Sequence, residues 1–161
     1  RSKYQWLLDL RAGRLLFSHG ELPFDGVALR VPVVSGVPCA DVIVHGRSGR
    51  AVLDTGARLS YMLPGLVQGP PVGREQDFHP AVGRFETDVY AVDVQFAGLR
   101  FTGRFGVLPD ALHLLLGMAG AEWVVGTELL AQFPFVFDLA HGRMKVVQDT
   151  GPLSLAGTGP W

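Results

Sequence analysis

The sequence predicts a mostly β domain with one or two short helices, and three features carry that expectation. Its 161 residues include 21 glycines and 11 prolines spread from end to end, and these residues punctuate a chain into turns. Between them lie apolar runs of strand length. In "VYAVDVQF" and "ADVIV", apolar and polar residues alternate as they do in a strand buried on one face.

Taken in order, "WLLDL" and "RLLFS" open the chain as a hairpin, and strands follow in "VALRVPVV", "ADVIVHG" and "RAVLDTG". "DVYAVDVQFAG" and "LRFTGRFGVL" read as further strands, and "FVFDL" with "RMKVV" as a closing hairpin. Two segments read as helical. One is the weak "DALHLLLGM"; the other is "GTELLAQF", where Gly-Thr starts the turn and Leu129, Leu130 and Phe133 fall at helical spacing. The two hairpins echo each other, "LLDLRAGRLLFS" against "FVFDLAHGRMKVV". Either hairpins converge on such turn chemistry, or both join a common sheet, or the first closes a lobe lying upstream. The chain divides into an N-terminal extension with a β-hairpin (1–28), a principal domain (29–148) and a C-terminal tail (149–161).

The length suits one ordinary domain with a real core. Hydrophobic residues make up 48% and the net charge is −1, which leaves no electrostatic footprint for nucleic acid or anionic lipid. No apolar run approaches the roughly 20 residues that cross a bilayer, so no membrane span is expected. Cys39 stands alone, which excludes an intramolecular disulfide and favours a reducing compartment, the cytoplasm. It reads as a small core residue. A start at Arg1 rather than Met is expected of a processed or trimmed product. The histidines (19, 45, 79, 113 and 141) show no paired spacing, so neither a metal nor a cofactor is expected. "GRSGR" at 46–50 lacks the Lys-Ser/Thr ending of a phosphate loop and reads as a hairpin turn. Arg-Phe pairs at 84–85, 100–101 and 104–105 read as strand alternation.

The chemistry lies in "RAVLDTGARLSYM", residues 50–62. Ala51-Val52-Leu53 reads as a buried strand that Asp54 ends at a turn, and Gly56 allows close backbone approach there. Thr55 offers a hydroxyl to neighbouring backbone. A carboxylate so placed is half desolvated and rigidly held, and its proton affinity is open to tuning. Beside a second carboxylate only one of the two ionises readily, and the pair shares a proton. Such a pair holds a water, takes its proton with the ionised member and polarises a peptide carbonyl with the protonated one.

"AVLDTGA" resembles the active-site loop of the retropepsin-like (retroviral-type) aspartic proteases. "VPCADVIVHGRSGRAVLDTGA" is similar to that family's entry strands, and "TDVYAVDVQFAGLRFTGRFGVLP" to the strands after its flap. "WVVGTELLAQFPFVFDL" is similar to its two-hydrophobics-plus-Gly loop, short helix and last strand. The resemblance spans about residues 30–147. It implies a single-lobe acid-protease β-barrel in which Asp54 is catalytic and Thr55, Gly56 and Ala57 complete the loop. Val124, Val125 and Gly126 would brace that loop from behind. "LLLG" at 114–117 is a rival for the bracing role, less favoured because a helix and a closing strand follow "VVG". A flap would be carried by "GREQDFHPAVGRFETDVY", with His79, Pro80, Ala81, Val82 and Gly83 at its tip. Three departures point to a cellular or bacterial branch. Thr127 stands where viral members usually carry Arg; Arg58 and Leu59 stand where they often carry acidic residues; and the connection 109–123 is longer.

The triplet Asp149-Thr150-Gly151 is followed by only "PLSLAGTGPW", from which no flap, bracing loop or helix can be built, and Pro152 replaces the small residue expected there. It reads as a turn in the tail. One usable aspartate per chain therefore implies a two-fold homodimer in which Asp54 meets its counterpart, and the resemblance implies that Thr55 bonds across the axis. The expected activity is an aspartic endopeptidase, with extended polypeptide substrate lying as an added strand between flap and floor. The alternatives are a retropepsin-fold module that binds peptides or proteins without cutting them, and one lobe of a longer two-lobed aspartic protease.

Overall fold

Local turn chemistry sets half of the strand pairings among the described residues, those between strands that follow one another in the chain. The computed structural model of the chain describes residues 4–22, 26–96, 98–138 and 141–147, and the second Asp-Thr-Gly triplet lies outside them. β1 (Gln5–Asp9) and β2 (Arg14–Ser18) form the opening hairpin, followed by β3 (Gly26–Arg30). β4 (Val33–Val34), β5 (Val37–Val44) and β6 (Arg47–Leu53) are joined by two-residue turns, Ser35-Gly36 and His45-Gly46. All four turn residues have positive φ, the backbone that matches the twist of flanking strands. The second turn is thus His45-Gly46, while Arg47–Arg50 of the "GRSGR" stretch already belong to β6.

β7 (Ser60–Met62) is followed by the hairpin of β8 (Gly73–His79) and β9 (Gly83–Phe96), and then by β10 (Leu99–Val107). The connection that follows contains α1 (His113–Met118). β11 (Trp123–Val125), α2 (Thr127–Leu130), β12 (Phe135–Asp138) and β13 (Arg143–Val147) complete the described chain. The protein is mostly β, with the two helical segments falling where the sequence placed them.

The strands form two sheets. One has five strands in the order β2-β1-β12-β13-β3, so the echoing hairpins do share a sheet. The other runs β4-β5-β6-β11-β7-β10-β9-β8, and a further pairing of Ile43 and Val44 in β5 with Gln95 and Val94 in β9 joins the ladder back on itself. Trp123, Phe96, Phe105, Phe135, Phe137, Leu129 and Leu130, all fully buried, fill the main core. A second cluster, with Leu59, Val89, Leu112, Leu116 and Val124, lies on the α1 side. β9 serves both, burying Thr87 and Val89 in its first half and Val92, Val94 and Phe96 in its second. Arg84, Arg100 and Arg104 are exposed while Phe101 and Phe105 are buried and Phe85 half-buried, as strand alternation requires.

The insertion of β11 positions the site. It pairs in parallel with β6 (Val125 opposite Leu53) and antiparallel with β7 (Val124 opposite Tyr61). The chain leaving β6 must therefore cross the end of β11 to begin β7, and residues 54–59 make that crossing.

Candidate active site

The crossing loop is bonded to what lies beneath it. Asp54 N–H donates to Val125 O at 3.0 Å, Thr127 N–H to Ala57 O at 2.8 Å, and Glu128 N–H to Arg58 O at 3.0 Å. Gly126 N–H donates to Ser60 Oγ at 3.1 Å, a fully buried bond. A Cβ on Gly126 would run into the carbonyl groups of Leu59 and Ala57, so only glycine lets the two segments approach this closely. Val124, Val125 and Gly126 thus lie against the loop, while the rival "LLLG" is part of α1.

Asp54 follows the last residue of β6 and is half-buried. Its Oδ1 accepts the Gly56 N–H at 2.8 Å, and its backbone carbonyl accepts the Ala57 N–H at 3.3 Å. Thr55 and Gly56 are exposed and Ala57 half-buried. All four line a cleft of about 740 Å³, within the size range of small-molecule and peptide sites.

The β8–β9 hairpin forms one side of this cleft. His79 and Pro80 line it, together with Asp77, Phe78 and Phe85. Ala81, Val82 and Gly83 lie beyond it at the hairpin turn, where Gly83 has φ +84° and Ala81 N–H donates to His79 Nδ1. Glu75, Asp77 and His79 share one face of β8, and two of the three are tied to the floor. Tyr61 O–H, on β7, donates to Asp77 Oδ2. Burial, this bond and the Asp77 charge push the phenol well above its ordinary range, so it remains a donor at any physiological pH. Glu75 pairs with Arg58 of the loop and Arg104 of β10, and both arginines also pair with Glu128 of α2. This charge cluster joins loop, hairpin and helix.

α1 and the turn that leads into it supply the apolar wall. Leu112, Leu115 and Leu116 line the cleft beside Leu108 and Val124, and from the far side Trp6 and Phe137 contribute a stacked ring pair at 4.6 Å. The sequence reading missed Asp77, Tyr61, Trp6 and Phe137 as cleft residues. A period-2 count back from His79 would have found Asp77; the others carry no local signal.

Cys39 is fully buried, and burial pushes its thiol up despite the nearby Arg50 charge, which disfavours a thiolate nucleophile. Among the described residues no helix is long and apolar enough to cross a membrane. Neither a protein-family model nor a curated protein matches the chain. Its class therefore rests on architecture: a mostly β protein with Asp54 on a loop that lines a cleft flanked by the β8–β9 hairpin.

Proposed function

We propose that the chain is a lobe of an aspartic endopeptidase of the retropepsin-like type, and that Asp54 is one of the two carboxyls that activate its water. The observation that carries this reading is the setting of Asp54. It lies on a loop stretched across an inserted strand, bonded to that strand and to the start of α2, in a cleft that the β8–β9 hairpin flanks. The joined ladder β5-β6-β11-β7-β10-β9 supports the expected barrel. The pairing of Arg58 with Glu128 ties this loop to α2.

In the reaction, the ionised carboxyl takes a proton from the bound water as its oxygen attacks the peptide carbonyl. The protonated carboxyl donates to the developing oxyanion, and the tetrahedral adduct collapses as the amide nitrogen gains a proton. The hairpin and the α1 wall exclude bulk water, which strengthens these interactions. An extended peptide fits between hairpin and floor, and the apolar wall favours hydrophobic side chains.

The second carboxyl must come from a second body. Among the described residues the other carboxyl lining the cleft is Asp77, which is engaged by the Tyr61 hydroxyl and the Phe78 N–H. A second copy of the chain, meeting the first at a two-fold axis, is one source; another lobe is the other.

The test is cleavage of a denatured-protein library at roughly pH 3 to 7, the range in which such paired carboxyls work, by the protein in the form its cell makes it. Asp54→Asn should lower the rate by at least about a thousandfold. Equal rates for both proteins would refute the reading.

A further inference from the structure

The two echoing hairpins are related by a local two-fold axis, and that axis points to a missing body. In β1 and β12, Leu7 lies opposite Val136, with Trp6 opposite Phe137 and Leu8 opposite Phe135. In β2 and β13, Arg14 pairs with Asp9 and Arg143 with Asp138. Matching Asp9 to Asp138 makes Leu7 the counterpart of Val136, its own cross-strand partner. The axis therefore passes through that pair, perpendicular to the sheet, and exchanges the two hairpins.

Their chemistry is equally matched. Asp9 Oδ1 accepts the Ala12 N–H at 3.2 Å and Asp138 Oδ1 the His141 N–H at 3.3 Å. Each Oδ2 accepts from an arginine five residues on, Arg14 or Arg143. Gly13 and Gly142 both have φ +61°, and both aspartates are buried.

The surroundings break the symmetry. Met144 and Val146 are 1% and 0% exposed beneath the main core, and their counterparts Leu15 and Phe17 are 50% and 61% exposed on the same face of the sheet. β13 has β3 on its outer side, while among the described residues β2 has no strand beyond it. Among the described residues, one hairpin carries a whole lobe above it and the other carries none.

We infer that Gln5–Ser18 is the closing hairpin of a second lobe of the same architecture, which precedes it in the polypeptide, covers Leu15 and Phe17, and pairs with the outer edge of β2. A closing hairpin follows its lobe in sequence, as β12 and β13 follow the rest of this one, so the second lobe lies on the N-terminal side. A second copy of this chain cannot take that place, because its own β12–β13 hairpin would need the position that β1 and β2 already fill. The axis passes close to the cleft, since Trp6 and Phe137, one residue from it, line the cavity that holds Asp54. On the peptidase reading, the preceding lobe supplies the second carboxyl, and the active unit is one two-lobed chain.

The test combines mass with surface labelling. The polypeptide carrying this sequence is isolated from its cell by an antibody against the 161-residue chain and weighed under denaturing conditions. Phe17→Cys and, separately, Leu15→Cys are labelled with a maleimide in the 161-residue chain and in the cellular form; the native thiol is buried. The inference expects a cellular polypeptide larger by about one lobe. It expects a monomeric 161-residue chain whose introduced thiols react freely, with labelling at least about tenfold slower in the cellular form. A cellular mass near 17.4 kDa, equal labelling in both forms, or protection within the 161-residue chain as monomer or dimer would each overturn it. A two-lobed, protected protein without Asp54-dependent cleavage would sink the peptidase reading alone.

Discussion

Adding one methyl group at Gly126 should destabilise the protein severely, while the same change at Gly117 should stabilise it. At Gly126 an alanine Cβ would lie 2.7 Å from the Leu59 carbonyl carbon and 2.9 Å from Ala57 O. Both are backbone atoms of the crossing loop, so no side chain can swing away to make room. Relief requires separating β11 from the loop, which strains the bonds Asp54 N–H to Val125 O and Thr127 N–H to Ala57 O. Overpacking of this kind costs about 1–3 kcal/mol, and a weakened buried hydrogen bond adds about 1 kcal/mol, so Gly126→Ala should lose about 3 kcal/mol. Gly117 lies within α1, exposed, with nothing inside 4 Å of an added Cβ. There alanine only restricts the unfolded chain and favours helix, a gain of about 0.5–1 kcal/mol. Urea unfolding of both variants and wild type measures the two effects with one chemical change. A Gly126→Ala midpoint within error of wild type, at unchanged slope, would refute the claim that the loop is seated on β11 by close backbone contact.

Tyr61→Phe removes the hydroxyl that holds Asp77 and should cost about 1.5–3 kcal/mol, the range for hydrogen bonds to charged groups. Faster amide exchange concentrated in residues 73–90, rather than throughout, is the expected signature, and uniform acceleration would contradict it. Burial pushes the Asp138 carboxyl up, but the bonds from Arg143, His141 and Gln5 outweigh it and hold the group below its ordinary value. Its contribution is therefore full above about pH 4, where the unfolded carboxyl is ionised, and is lost as the pH falls through the lower folded value. Asp138→Asn should be less stable near neutrality and should lose less on acidification than wild type, as measured by melting temperature from roughly pH 6 down to pH 2.

The strands, the hairpins and the aspartate loop were legible because each follows from rules that act over a few residues. Alternation in "ADVIV" and the glycines at turn positions mark strands and their ends, and Asp-Thr-Gly after an apolar strand marks a rigid carboxylate. The echo between the terminal hairpins was also legible, and its meaning is double: Asp9 and Asp138 do the same turn chemistry, and the two hairpins lie side by side in one sheet. The "GRSGR" turn was misplaced because His45, which adopts φ +48°, is not a residue that announces a turn. Tyr61 and Trp6 went unread as cleft residues since nothing near them in the chain says what they face.

By itself the sequence determined that this is a mostly β chain with Asp54 at the end of a buried strand, because hydrophobic period and turn residues are local properties. Only the tertiary structure decided that β11 slides between β6 and β7, that Asp77 is held by Tyr61, and that Phe17 stands uncovered where its counterpart Val146 is buried. Those facts depend on pairings between segments far apart along the chain. A strand's own residues specify that it will pair and which face it buries, but the identity of its partner emerges only when all the strands compete for the same hydrogen bonds and the same core.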